Sequence, residues 1–378
     1  MLVTVAGCTP GKGALDCGKR ASADLNPPEK LRPFKLDFVD PDESELANGH
    51  LLVNQFNKKT ESFAAAIDGC AAHVWWEKAQ SQATKITRTR MGRDGRSVIF
   101  SEYDRFRLAD TGEIRRHDLK TGELTVTPAE EQHHDFVEMP DGQLAWLSWQ
   151  YIANDWFPSL DTDIATDAIR VADEGSDGEH EILFSVPEDS GVEMFWACRH
   201  MAPDTFVPGY AEWSHANSLM YDEDQDALFV LVRYWDALLR IERDGTLGWI
   251  LGGTNNEFTV ADGTELPKHG HMSEFWPGGM LVFDNRSHSG GKASRVVEYA
   301  IDEEARTVEE VWSYEEPNGQ FWSYLGDARR LPGGNVVIAW SGSGQITEVN
   351  RAGEVVWSAE TDHELGRLEF VEDWPWVQ

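Results

Sequence analysis

Apolar residues along this chain recur in short alternating runs separated by turn residues, without the three-to-four-residue stripe of an amphipathic helix. One run, Asn48-Gly49-His50-Leu51-Leu52-Val53, is opened by a turn. Asp94-Gly95-Arg96-Ser97-Val98-Ile99 and Asp141-Gly142-Gln143-Leu144-Ala145-Trp146 repeat it at spacings of about 46 residues. The same pattern returns at Gly278-Gly279-Met280-Leu281-Val282-Phe283 and Gly333-Gly334-Asn335-Val336-Val337-Ile338, and without glycine at Asp224-Gln225-Asp226-Ala227-Leu228-Phe229. Four of the units close on a second β-rich run that carries tryptophan (Trp75, Trp249, Trp312 and Trp357), as in Asp244-Gly245-Thr246-Leu247-Gly248-Trp249 and Gly353-Glu354-Val355-Val356-Trp357. Asp-Gly and Asn-Gly pairs between alternating runs are hairpin signals. Their period is that of one four-stranded propeller blade.

Six units extend from residue 37 to 365 and predict an all-β fold, a six-bladed β-propeller. The regular repeat is interrupted between blades 3 and 4, where residues 150–212 are expected as an insertion carrying extra strands or a lid. Residues 1–36 read as an N-terminal tether and 366–378 as a C-terminal tail. Trp75, Trp249, Trp312 and Trp357 are expected to pack between blades.

Composition narrows the partners. With 33 Lys and Arg against 66 Asp and Glu, the net charge of −33 disfavours nucleic acid and anionic membrane surfaces. No run of eighteen apolar residues occurs, so no spanning helix is expected. The acidic groups Asp161, Asp163 and Asp167, and Asp173-Glu174-Gly175-Ser176-Asp177, lack a calcium-loop pattern and read as solvated loops. The 4 cysteines show no metal-ligand spacing. Val5-Ala6-Gly7-Cys8 is similar to a bacterial lipobox, which implies a periplasmic or cell-surface protein with a lipid anchor at Cys8 and one disulfide among Cys17, Cys70 and Cys198. A chance match would leave the protein cytoplasmic.

Three blade starts carry histidine directly before an innermost strand: His133-His134-Asp135, Trp213-Ser214-His215-Ala216-Asn217, and His269-Gly270-His271. Pseudo-symmetry should bring them to one mouth of the channel, where Arg233 joins them as a lone cation in Leu231-Val232-Arg233. Three imidazoles can hold zinc or iron with an open position, but Arg233 opposes a metal. The other reading is an oxyanion site for a tetrahedral sulfuryl or phosphoryl group, with a neutral imidazole as nucleophile. The site these motifs predict, three His, an Asn and an Arg, is read as having no carboxylate. Trp149, Tyr151, Trp156, Phe157, Phe195 and Trp196 could wall an aryl pocket or simply pack.

The run from Trp213 to Asp222, Leu231-Val232-Arg233, and Trp249-Ile250-Leu251-Gly252-Gly253 resemble the bacterial arylsulfate sulfotransferases. So do His271 with Gly279 to Asn285, Ser294-Arg295-Val296-Val297-Glu298-Tyr299, and Arg330-Leu331-Pro332-Gly333-Gly334-Asn335. The resemblance implies a propeller that moves a sulfuryl group from an aryl sulfate to a phenolic acceptor through a sulfohistidine, with no cofactor and no metal. By it, His271 is the nucleophile, His215, Asn217 and Arg233 bind the sulfuryl group, and His134 or His133 is the remaining histidine; His269 stands beside them as a further binding residue. Gly270 departs from the Gln usual before the nucleophile, and Val232 from the Ser common before the arginine. A propeller that binds a sulfated or other anionic ligand without turnover, and a sulfate or phosphate ester hydrolase, are the alternatives. One firmly bound zinc or iron per chain would count against the sulfotransferase reading.

Overall fold

The repeated runs pair as antiparallel hairpins within six separate sheets, arranged as a six-bladed β-propeller. The computed structural model describes Cys17 and residues 27–57, 61–104 and 112–375. Blade 2 (Thr84–Met91, Ser97–Asp104, Glu113–Asp118, Leu124–Pro128) and blade 4 (Ala216–Asp222, Ala227–Val232, Ala237–Glu242, Leu247–Gly252) are the plain four-stranded case. Strand position decides the residue pattern. Ala227–Val232 lies between neighbouring blades and is buried at every residue, so it is apolar throughout. Thr307–Glu315, near the rim of blade 5, keeps an alternation of covered and exposed positions. The turn without glycine, Asp224-Gln225-Asp226, places Asp226 at φ +48°, a left-handed conformation that aspartate tolerates better than most residues.

Both ends of the chain close the ring. Glu364–Val371 is the innermost strand of blade 1, pairing with His50–Phe56 from His50↔Val371 to Phe56↔Glu364. Lys35–Val39 is the outermost strand of blade 6, pairing with Val355–Glu360. Residues 366–371 therefore form part of a central strand and not a tail, and residues 35 and 36 are not tether. The physical reason is edge pairing: blade 1 lacks an inner strand of its own, and the closing segment satisfies its exposed ladder.

The insertion is shorter than expected. Gln143–Ile152 and Ile164–Asp173 pair without a break from Gln143↔Asp173 to Ile152↔Ile164, and Glu181–Ser185 extends the same sheet, so residues 164–185 are ordinary blade 3. What is inserted follows: a one-turn helix Val186–Asp189, a 3-10 turn Arg199–Met201, and a short strand Ala211–Glu212 parallel to Ile164 and Ala165.

The four tryptophans each reach the next blade. The Trp75 ring lies 6.5 Å from Phe100, Trp249 lies 6.0 Å from Phe275, and the indole N–H groups of Trp312 and Trp357 donate to the carbonyls of Arg351 and Gly69. Cys17 and Cys70 form a disulfide, and Cys198 is a free thiol. Cys8 lies outside the described residues. Deeper in the channel, Arg88 pairs with Asp135 at 3.4 Å and Asp327 at 3.8 Å, and Arg90 with Asp135 at 3.2 Å. These pairs join the inner strands of blades 2, 3 and 6 beneath the histidines.

Candidate active site

Innermost strands start at one end of the channel, and there the backbone does something uncommon. His134, His215, His269 and Leu325 adopt φ of +53°, +55°, +56° and +59°. These are equivalent points in blades 3 to 6. Left-handed non-glycine residues cost on the order of 1–3 kcal/mol each and cluster where function requires them. Two residues further on stand Phe136, Asn217, His271 and Asp327. His271 is thus the blade-5 counterpart of Asn217, whereas His269 is the counterpart of His134 and His215.

His134, His215, Arg233 and His271 line one cavity of about 170 Å³. The His134 ring centroid lies 4.9 Å from His215 and 6.3 Å from His271. Arg233 begins a 3-10 turn after the apolar strand, and its backbone N–H donates to the His215 carbonyl at 3.1 Å, which is why the two side chains are neighbours. Its Nη2 donates to the Ser323 carbonyl at 3.0 Å, while Nη1 is buried without a partner. Burial pulls its pKa below the usual guanidinium value.

His271 is held in one tautomer. Its Nδ1 lies 2.9 Å from the Gly326 carbonyl, which can only accept, so Nδ1 carries the proton and Nε2 is the bare lone pair of the neutral ring. Burial, followed by the positive charge of Arg367, holds the imidazole well below its ordinary pKa and therefore neutral near pH 7. The carbonyl can approach because residue 326 is glycine: φ is +99°, and a Cβ would fall 2.1 Å from the Phe283 ring.

The remaining expected residues take other places. Asn217 donates from Nδ2 to the Gly270 carbonyl at 3.3 Å, so it braces the peptide beside His271 and does not line the cavity. Gly270 itself is tightly packed, with a virtual Cβ only 3.0 Å from Leu231 and from Val282. A larger residue there would require those two side chains to give by a few tenths of an ångström. His133 is fully buried behind His134, stacked on Trp149 at 4.0 Å, with Nε2 3.1 Å from Asp167 and Nδ1 2.8 Å from His134 Nδ1. His269 faces away from the cavity toward His200 and His288.

Three features escaped the sequence reading. Arg367, on the closing strand, lines the cavity at 3% exposure and donates from Nη2 to the Asn217 carbonyl; its Nη1 is buried without a partner. Its signal was the one that marked Arg233, a lone cation in an apolar run, but it stood in the presumed tail. The site is also not free of carboxylates. Glu212 is buried against His215 Nδ1, and Asp167, expected in a solvated loop, is buried and accepts from Ser214 Oγ and the Ala216 N–H. The aromatic wall, finally, is Phe56, Tyr103, Phe206 and Tyr324. Of the aromatic residues expected there, Trp149 backs His133, Phe195 packs on Trp213, and Trp156 and Trp196 are exposed.

The channel mouth thus gathers three imidazoles and two guanidinium groups beside an aromatic wall, cationic donors next to an apolar face. The chain belongs to the arylsulfotransferase (ASST) family, which matches residues 36–370. It is similar to the arylsulfate sulfotransferase AssT of Escherichia coli O6:H1 at 26% identity, over 28% of this chain and 23% of that protein. Among solved structures it resembles TolB from Acinetobacter baumannii (TM-score 0.52, 12% identity, 87% of this chain and 67% of that one). A Bacteroides caccae protein of unknown function is likewise similar (TM-score 0.52, 14% identity, 86% and 100% covered). Those two likenesses concern the fold alone.

Proposed function

We propose that the protein is a nucleotide-independent aryl sulfotransferase that works through a sulfated His271. The carrying observation is the pairing of a neutral, tautomer-fixed imidazole with two buried guanidinium groups that each keep an unpartnered N–H. Buried cationic donors left unsatisfied call for an anion, and the cavity's aromatic side suits an aryl ester.

In the first half-reaction, the His271 Nε2 lone pair attacks sulfur, the N–S bond forms, and the S–O bond to the aryl group breaks. Arg233 and Arg367 offset the charge on the sulfuryl oxygens. The departing phenolate takes a proton from His215, whose ring is steadied by Glu212. In the second, a phenol attacks the sulfur of the sulfohistidine and returns the histidine to its neutral form. The phenol proton goes to His134, whose Nδ1 lies 2.8 Å from His133 Nδ1, with His133 Nε2 in turn 3.1 Å from Asp167; passing from His134 to the neighbouring His215 ring, 4.9 Å away, that proton restores the acid and closes the cycle. The Cys17–Cys70 disulfide supports an exported location, where such bonds persist. Among the described residues no helix is long and apolar enough to cross a membrane.

The test is a burst experiment. With 4-nitrophenyl sulfate and no acceptor, the protein should release about one phenol per site and gain one sulfuryl mass, which added phenol removes. His271→Ala should lose burst and turnover together, whereas Arg233→Ala should retain a reaction slowed on the order of 10²–10³. Steady release without acceptor would identify a hydrolase, and a sulfuryl mass on the His271→Ala protein at the wild-type rate would overturn the nucleophile assignment.

A further inference from the structure

Behind the cavity, the side chains of Cys198, His200, His269 and His288 converge, with one ligand atom from each lying within 4.8 Å of the others. The ring centroids of the three histidines are 5.3, 4.5 and 5.2 Å apart. Two of these residues come from the insertion, beside its 3-10 turn Arg199–Met201. The other two flank the first hairpin of blade 5, formed by Met272–Trp276 and Gly279–Asp284.

Hydrogen bonding within the protein does not account for the cluster. The Nδ1 atoms of His200 and His269 are buried and have no partner, which is unfavourable unless something satisfies them. Cys198 is a free thiol among them. A cation between them would satisfy these lone pairs and the thiol together. We propose that Cys198, His200, His269 and His288 form a closed zinc site that clamps the insertion onto blade 5.

The ligand set fits that ion. Zinc takes one thiolate at ~2.3 Å and imidazoles at ~2.0–2.1 Å in a tetrahedron, which sets ligand atoms roughly 3.3–3.8 Å apart. The present spread therefore needs a contraction on the order of 1 Å, within reach of side-chain rotation. The His200 N–H already donates to Cys198 Sγ at 3.2 Å, and a bound metal would hold that sulfur as the thiolate. Asp236, which accepts from the His269 N–H at 2.6 Å, adds a carboxylate that offsets the ion beside Arg233.

Four protein ligands leave no open position, so the ion would act structurally and take no part in group transfer. What it would hold in place is functional: the insertion supplies Phe206 to the cavity wall, and blade 5 supplies His271. His269 then belongs to this site and not among the sulfuryl-binding residues. A bound zinc would accordingly not count against sulfuryl transfer unless it sat among His134, His215 and His271.

The experiment uses the full chain stripped with chelator, then titrated with zinc against a chromogenic competitor, with elemental analysis of the reloaded protein. One zinc per chain is expected. Cys198→Ser and His288→Ala should each weaken it by more than the roughly 10–100-fold that loss of an outer hydrogen-bond partner costs, whereas His134→Ala and His215→Ala should leave it unchanged. His288 is exposed, so its replacement does not threaten folding. Cobalt substitution should give a thiolate charge-transfer band that Cys198→Ser removes. Absence of stoichiometric binding, binding undiminished in both ligand variants, or loss of zinc in His134→Ala or His215→Ala overturns the proposal. None of these readouts depends on sulfuryl transfer, so either reading can fail alone.

Discussion

Replacing Arg367 by Gln tests how the closing strand contributes to the site. The side chain is 3% exposed, lines the cavity with His271, and braces Asn217 through its carbonyl. Two effects should separate. First, losing one charged donor to the sulfuryl oxygens should slow the burst on the order of 10²–10³, or about 2.7–4 kcal/mol of transition-state stabilisation. Second, burial and then Arg367 hold His271 neutral, so without the guanidinium its pKa should rise. Only the neutral ring attacks sulfur; the acid limb of kcat/KM should therefore move to higher pH, and activity should be lost sooner as pH falls. Arg367→Lys keeps the charge but not the planar fork, so it should keep the acid limb near its wild-type position while still slowing the burst. The assay is rapid-mixing release of 4-nitrophenol across pH, with melting curves alongside. Those curves matter because Asp327 and Asp135 lose a buried neighbouring charge, and removing one partner of a buried charge set costs about 3–5 kcal/mol. Arg367→Gln protein that is folded, bursts within about threefold of wild type and keeps the same acid limb would refute the reasoning.

Gly326→Ala should disturb the nucleophile through its hydrogen-bond acceptor. The new Cβ meets Phe283 at 2.1 Å at φ +99°, whereas Gly334→Ala, at φ +103°, meets nothing within 4 Å. Both pay the strain of a left-handed alanine, on the order of 1–3 kcal/mol, but only Gly326→Ala should melt lower still and slow the burst; equal melting with a full burst would remove Gly326 from the argument. Cys70→Ser opens a covalent loop spanning 53 residues that contains the outer strand of blade 6. Chain entropy puts the loss at no more than about 4 kcal/mol, read as a lower denaturant midpoint that reductant reproduces in the wild type and does not change in the variant. An unchanged midpoint would mean the bond adds nothing to the folded ring.

Local pattern carried the propeller, because each blade is a run of hairpins whose turns and alternation lie within one stretch of sequence. Six units, their Asp-Gly turns and the tryptophans reaching the next blade were legible for that reason, as was the convergence of His134 and His215, since repeat symmetry maps equal sequence positions onto equal places around the channel. His271, two residues beyond the equivalent position, and Arg233, at the end of the next strand, reach the same cavity from other repeat positions. Ring closure was not legible: nothing in Glu364–Val371 says that it pairs with His50–Phe56 at the far end of the chain, so Arg367 remained hidden in a presumed tail. Nor could sequence decide direction. His269 occupies the same repeat position as His134 and His215, with the same left-handed backbone, yet its ring turns toward Cys198 and His200, because the insertion offers partners there that blades 3 and 4 do not have. The carboxylate partners were only partly local: Glu212 stands three residues before His215, whereas Asp167 meets His133 across the blade-3 sheet, and meets Ser214 and Ala216 beside the parallel pairing of Ala211–Glu212 with Ile164–Ala165, contacts set by separation in space, which spacing along the chain does not measure.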